Sequence, residues 1–146
     1  MGELLLTADD GCLTGLYMPA EKHSPPPGAV RDEAAFASVR AQLEEYFAGR
    51  RHSFDLPLAP AGTPFQQRVW AELQRIGHGK TITYTELAAR IGRPTAIRAA
   101  GAANGANPVS IVIPCHRVIG SDGTLTGYGG GLEVKRFLID FERGGT

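Results

Sequence analysis

The chain has 146 residues, of which 42% are hydrophobic and 21% charged, and its formal net charge is zero. Such a balance fits a soluble protein of one domain, or of two small ones sharing a core. Two cysteines exclude a disulfide framework and a cysteine-rich zinc cluster, and no apolar run is long enough to span a bilayer.

The opening segment MGELLLTADD lacks the basic start and the apolar length of a signal peptide. Leu6 also stands where a myristoylation pattern requires Ser or Thr. A cytoplasmic protein with reduced thiols is therefore expected. LLLTADDGCLTGLYM reads as two short strands around an Asp9-Asp10-Gly11 turn. EKHSPPPG is a loop, because three consecutive prolines fit neither a helix nor a central strand. In DEAAFASVRAQLEEYFAG, Phe36, Val39, Leu43 and Phe47 recur at helical spacing, with Gly49 just past the end. Residues 1–60 thus form a small α/β unit, closed by a Pro- and Gly-rich linker near 56–62.

Residues 63–146 read as a series of capped helices. Thr63-Pro64-Phe65-Gln66 is a capping box with proline in the first turn, predicting a helix to about Ile76. Thr83-Tyr84-Thr85-Glu86 repeats the box and opens TELAARI, which Gly92 closes. Pro94 then starts TAIRAAGAAN. Two short helices across a tight turn make a helix-turn-helix candidate, although ordinary packed helices share that pattern. Apart from Ile97 and Arg98, the second helix is nearly all Ala and Gly. A helix with ordinary side chains is about 10–12 Å across, whereas a B-form minor groove is only about 6 Å wide. Stripped side chains suit a close approach to that groove, and equally suit tight helix packing. Charge follows the same division. From Met1 to Pro60 there are five Lys/Arg against nine Asp/Glu, while Ala61 to Ser121 holds seven against two. The second half is the one suited to an anionic partner.

NPVSIVIPCHRVI carries the chemistry. Cys115 follows Pro114 and precedes His116 and Arg117, two residues able to favour a thiolate. Neighbours on an extended strand face opposite ways, so direct contact between Cys115 and His116 requires a bend or a bridging water. Taken alone, the dipeptide also fits a buried structural cysteine beside a surface histidine. Gly127-Tyr128-Gly129 is no dinucleotide loop, since Leu132 stands where its third glycine belongs, and HExxH and paired CxxC motifs are absent.

From Pro64 to Glu142 the chain resembles the O6-alkylguanine-DNA alkyltransferases. The resemblance rests on PCHR around Cys115, on TITYTELA, IRAAGAAN, NPVSIVIPCHRVIG and GYGGGLEVKRFL, and on Glu142; the first sixty residues match only weakly. It implies a small ribonuclease H-like N-terminal domain (1–60). A mainly helical domain (63–146) follows, with a helix-turn-helix of winged-helix-like type. The implied activity is single-turnover repair: Cys115 takes the alkyl group from O6-alkylguanine, and from O4-alkylthymine if that is accepted, giving a permanent S-alkylcysteine. The partner is double-stranded DNA bound through its minor groove with the damaged nucleotide flipped out. No cofactor or metal is implied, and a monomer is expected.

By the same resemblance, His116 takes the thiol proton through a water, Glu142 orients His116, Tyr84 gives a proton to the departing base, and Asn107 braces the turn before the active-site strand. Tyr128, Val118 and the Gly129 backbone N–H line the base pocket, and Arg98 fills the space in the stack. Thr95, Ala96, Ala99, Ala102 and Arg93 meet the duplex, with Lys80 and Arg93 serving phosphates. The GYGGG loop leaves position 129 without a side chain, which bears on the size of alkyl group accepted. Two other readings remain at this point: a non-catalytic lesion binder, against which Cys115 itself argues, and a cysteine hydrolase with no DNA partner.

Overall fold

The structure is a computed structural model and describes residues 4–21, 28–128 and 130–144. Strands β1 (Leu5–Asp9) and β2 (Cys12–Tyr17) form an antiparallel hairpin. Asp10 (φ 55°) and Gly11 (φ 80°) fill its two-residue turn. Both lie in the left-handed region, which a twisted two-residue hairpin requires and which Asp and Gly tolerate. Most of the expected EKHSPPPG loop, residues 22–27, lies outside the described residues. A single 3₁₀ turn (Ala34–Phe36) then leads into α1 (Ala37–Phe47). The helix is shorter at its start than the pattern predicts, and Gly49 (φ 78°) follows its end as expected. Its buried stripe is Val39, Leu43 and Tyr46, with Phe47 only half-buried.

The second part contains α2 (Pro64–Leu73), β3 (Ile82–Thr83), α3 (Tyr84–Arg90), α4 (Ile97–Gly105), β4 (Val118–Ile119) and α5 (Leu132–Glu142). At α2 the capping box closes in both directions. Thr63 Oγ1 accepts from the Gln66 N–H (3.1 Å), and Gln66 Oε1 accepts from the Thr63 N–H (2.9 Å). At α3 only half the box forms: Thr83 Oγ1 accepts from the Glu86 N–H (3.1 Å), while the Glu86 carboxylate pairs with Arg90 at 2.7 Å instead. α4 starts at Ile97, three residues beyond Pro94, and packs Ala100, Ala103 and Asn104 inward. Trp70 anchors it by donating from Nε1 to the Ala103 carbonyl (2.8 Å).

The two parts share backbone hydrogen bonds as well as a core. β2 pairs with β1 along one edge. Along the other it bridges to the 56–62 segment, where the Leu13 N–H donates to Pro57 O (2.8 Å) and the Ala59 N–H to Leu13 O (2.9 Å). Further on, the Leu16 N–H donates to Pro108 O (2.8 Å) and the Ser110 N–H to Leu16 O (3.2 Å). Buried side chains run without a break from Leu13, Leu16, Leu43 and Tyr46 into Trp70, Leu87, Ile113 and Leu138. No described helix is long and apolar enough to cross a membrane.

Candidate active site

The segment from Asn104 to Val118 has little regular structure, so its shape depends on side chains. Asn107 Oδ1 accepts from the Val109 N–H (3.0 Å), and its Nδ2 donates to Ile113 O (2.7 Å). Asn104 Nδ2 reaches Cys115 O at 3.3 Å. Between these clamps the chain makes two very tight bends. The Val112 N–H donates to Ser110 O (2.8 Å) around Ile111, whose φ is +71°. A buried β-branched residue with positive φ is strained, by about 1–3 kcal/mol. The Cys115 N–H then donates to Ile113 O (2.8 Å) around Pro114 (φ −81°, ψ 66°), an inverse γ-turn that the proline ring favours. Asn107 thus ties the two ends of this turn together. Cys115 sits in a 3₁₀ turn, Cys115–Arg117, rather than on the expected strand, which begins only at Val118.

His116 is fully buried, and its Nε2 lies 2.8 Å from Glu142 Oε2. Burial alone would push the Glu142 carboxyl up, but hydrogen bonds and charge from His116 and Arg117 hold it well below the usual carboxylate range. An ionised carboxylate can only accept, so Nε2 carries the ring proton and Nδ1 keeps the lone pair. That Nδ1 is buried without a hydrogen-bond partner among the described residues. Burial also lowers the His116 pKa, against the pull of Glu142, which favours the neutral, proton-accepting ring. A neutral ring with a carboxylate fixed behind it thus follows Cys115 in the chain, the pairing that a general base requires.

Arg117 differs from its expected role beside the sulfur. It turns to the other side, donating from Nε to Glu142 Oε1 (2.8 Å), from Nη2 to Oε2 (2.9 Å) and from Nη1 to Ile76 O (2.6 Å). The cation that does act on Cys115 is Lys135, a residue that sequence reasoning passed over. Burial pushes the Cys115 thiol up to about 11, opposed by Asn107 and by the charge of Lys135. Lys135 is itself fully buried, which brings its pKa down to about 8. Its Nζ donates to Thr126 O (2.8 Å) and to the Tyr84 hydroxyl (3.4 Å), and lies 5.7 Å from the Tyr84 ring centre. The Tyr84 hydroxyl also donates to Thr126 O (3.0 Å). Lys135 was legible in principle: with Leu138, Ile139 and Glu142 it repeats every three or four residues along the buried stripe of α5.

Tyr128 is half-buried. Its hydroxyl is enclosed within electrostatic range of Ser110 and Cys115, and burial raises its pKa. Gly130 explains part of the glycine-rich loop, because a Cβ there would lie 2.7 Å from Met18 and 2.8 Å from the Tyr128 ring. Gly129 lies outside the described residues. Val118 is fully buried on β4, where it pairs with Ile82 on β3. Asn107, Lys135 and Tyr128 thus interact with Cys115, Tyr84 meets Lys135, and His116, next in the chain to Cys115, is tied to Glu142.

The remaining expected residues lie apart, on the outer side of α4 and the turn before it. Arg93, Thr95, Arg98, Ala99 and Ala102 are exposed and Ala96 is half-exposed. Arg98 has no hydrogen bond or ion pair among the described residues, so its guanidinium is free to reach outward. Among the described residues no cluster of His, Cys, Asp or Glu could hold a metal ion.

Both parts of the chain match known family models. Residues 1–60 match the ribonuclease-like domain of 6-O-methylguanine DNA methyltransferase, and residues 64–144 match its DNA-binding domain. A methylated-DNA–protein-cysteine methyltransferase of Haemophilus influenzae is 47% identical, over 98% of this chain and 82% of its own length. The protein of the same name from Mycolicibacterium paratuberculosis is 49% identical, over 98% and 87%. The fold superposes on a crystal structure of Mycobacterium tuberculosis OGT in complex with DNA with a TM-score of 0.92. That chain is 46% identical, and the match covers 98% of this chain and 88% of the other. With its ribonuclease-like first part and a helical second part that carries the PCHR turn, the chain belongs to the family of methylated-DNA–protein-cysteine methyltransferases.

Proposed function

We propose that this protein repairs O6-alkylguanine in double-stranded DNA by moving the alkyl group to Cys115 in a single, stoichiometric step. The observation that carries the reading is the buried Cys115 beside a histidine whose Nε2 is tied to an ionised glutamate and whose Nδ1 is left to accept. The thiol proton passes to His116 Nδ1 through a water. The sulfur then attacks the alkyl carbon as the bond from that carbon to O6 breaks. Guanine leaves with the electron pair, and Tyr84 supplies a proton that neutralises it. The hydrogen bond from Lys135 stabilises the phenolate left on Tyr84, and its charge stabilises the thiolate. The product is a thioether, which water does not cleave, so each molecule acts once.

O6 of guanine lies inside the stack, so the damaged nucleotide must be extruded to reach a buried sulfur. The exposed small face of α4 fits a minor groove, and Arg98 projects from it to occupy the vacated place. Arg93 and Lys80, both exposed, suit phosphates.

Mass measurement after incubation with a methylated duplex tests the reading. A stable one-methyl gain on the Cys115 peptide is expected, and an unmodified peptide after the lesion has gone would overturn it. Cys115→Ala should still bind the lesion yet transfer nothing; demethylation by that variant would mean another nucleophile. Arg98→Ala should slow repair of duplex DNA far more than reaction with the free base, whereas equal losses would count against extrusion.

A further inference from the structure

The acid behind His116 is held from both parts of the chain. Glu142 Oε2 accepts from His116 Nε2 (2.8 Å), from Arg117 Nη2 (2.9 Å) and from the hydroxyl of Tyr46 (2.6 Å). Tyr46 belongs to α1, ninety-six residues earlier in the chain, and is fully buried. Its ring is fixed by Phe47, Phe54, Phe141 and His78, with centroids 5.0, 5.5, 5.6 and 6.1 Å away. Nothing in the alkyl-transfer chemistry asks for a hydroxyl there, and a phenylalanine would fill the same space.

We propose that Tyr46 is a positioning residue that sets the basicity of His116 by sharing the Glu142 oxygen on which His116 depends. The proposal rests on His116 being the base, as argued above. A carboxylate oxygen that already accepts from a hydroxyl and a guanidinium has less negative charge to offer a third donor. The imidazolium formed when His116 takes the thiol proton is then less stabilised, and the resting ring stays neutral. Burial and the nearby Glu142 charge raise the Tyr46 pKa, so its hydroxyl remains a donor across the working range of pH.

Among the described residues, the other charged and titratable groups that face this cluster include Arg117 on the same turn, Lys135 on α5, Tyr128, and His78 with His52 stacked on it at 4.0 Å. Arg117 has two hydrogen bonds of its own to Glu142, and these keep the carboxylate in place when the hydroxyl is removed. The first sixty residues thereby have a part in the chemistry itself, beyond covering the core.

Tyr46→Phe tests this, because it deletes the hydroxyl and keeps the ring packing; its thermal midpoint checks the fold. The measurement is the pH titration of the His116 ring by nuclear magnetic resonance in the full-length protein. An upward shift of about half a pH unit or more is expected, equivalent to the loss of a modest hydrogen bond. A titration that stays in place or moves down in the folded variant overturns the proposal. The pH profile of transfer to Cys115 from a methylated duplex separates this from the underlying mechanism. If the acid limb moves up with the ring, both stand. If the ring titration shifts and the acid limb does not, Tyr46 keeps its role and His116 loses the role of base.

Discussion

Lys135 sets an ammonium group where burial disfavours its charge, and holds it with one carbonyl and one phenol. A buried cation costs stability unless it is well paired, and an apolar group of similar length often restores it. Lys135→Met is therefore expected to raise the thermal midpoint or leave it unchanged while slowing alkyl transfer by roughly tenfold or more, the scale of a lost charge-assisted hydrogen bond. Transfer at the unaltered rate would limit Lys135 to a structural role. Cys115 and His116 stand out in the local PCHR pattern, whereas Glu142 comes only from the family resemblance, because a carboxylate near a helix end is ordinarily solvated. Tyr46 could not be read: both Tyr46 and Phe47 continue the helical period of Val39 and Leu43, and only packing decides which one turns inward. Arg117 was misplaced for a related reason, because adjacency in sequence does not determine which way a side chain points once the chain enters a 3₁₀ turn.

At the scale of elements, α4 presents two faces with different demands. Ala100, Ala103 and Asn104 pack inside, whereas Ala99 and Ala102 are exposed although they are apolar. Ala102→Leu should change stability by no more than about 0.5 kcal/mol, as is usual for an exposed helical site. It should nevertheless weaken duplex binding markedly, because the added side chain would keep the helix out of a narrow groove. A titration with duplex DNA checks this, and unaltered affinity would place the contact on another surface. Capped helices such as α2 were legible nearly to their ends because Thr63, Pro64 and Gln66 act within one turn. β3 and β4 were not, since two residues at 82–83 pair with two at 118–119 and no local pattern announces so distant a partner. The 3₁₀ turn at Cys115 was hidden likewise, its shape depending on Asn104 and Asn107 rather than on the propensities of its own residues.

For the molecule as a whole, three ionisable groups at the site, His116, His78 and Glu142, respond to acid in one direction. His116 and His78 have pKa values lowered from 6.5, chiefly by burial, and Glu142 is lowered from 4.5 by its partners despite burial. A depressed folded-state pKa means that the unfolded chain takes up protons first as pH falls. Their contribution is then complete above the unfolded values and is lost as pH drops through them toward the folded ones. The urea midpoint should therefore decrease steadily from pH 7 to pH 5 as the histidines begin to charge, and more steeply below about pH 4.5, where Glu142 joins. A midpoint unchanged between pH 7 and pH 5 would show that the buried imidazoles do not resist protonation.

β2 adds a consequence that concerns the order in which the chain is made. A ribosome releases this strand before residues 57–59 and 108–110, so one of its edges pairs with β1 while the other is open, and an unpaired strand edge invites association with other nascent chains. Residues 57–59 cover part of the open edge, and the rest waits for residues 108–110. Cys115 emerges only a few residues later. Sealing of the hairpin and arrival of Cys115 thus fall within a few residues of each other in synthesis, so the edge is covered just before the buried cysteine is made.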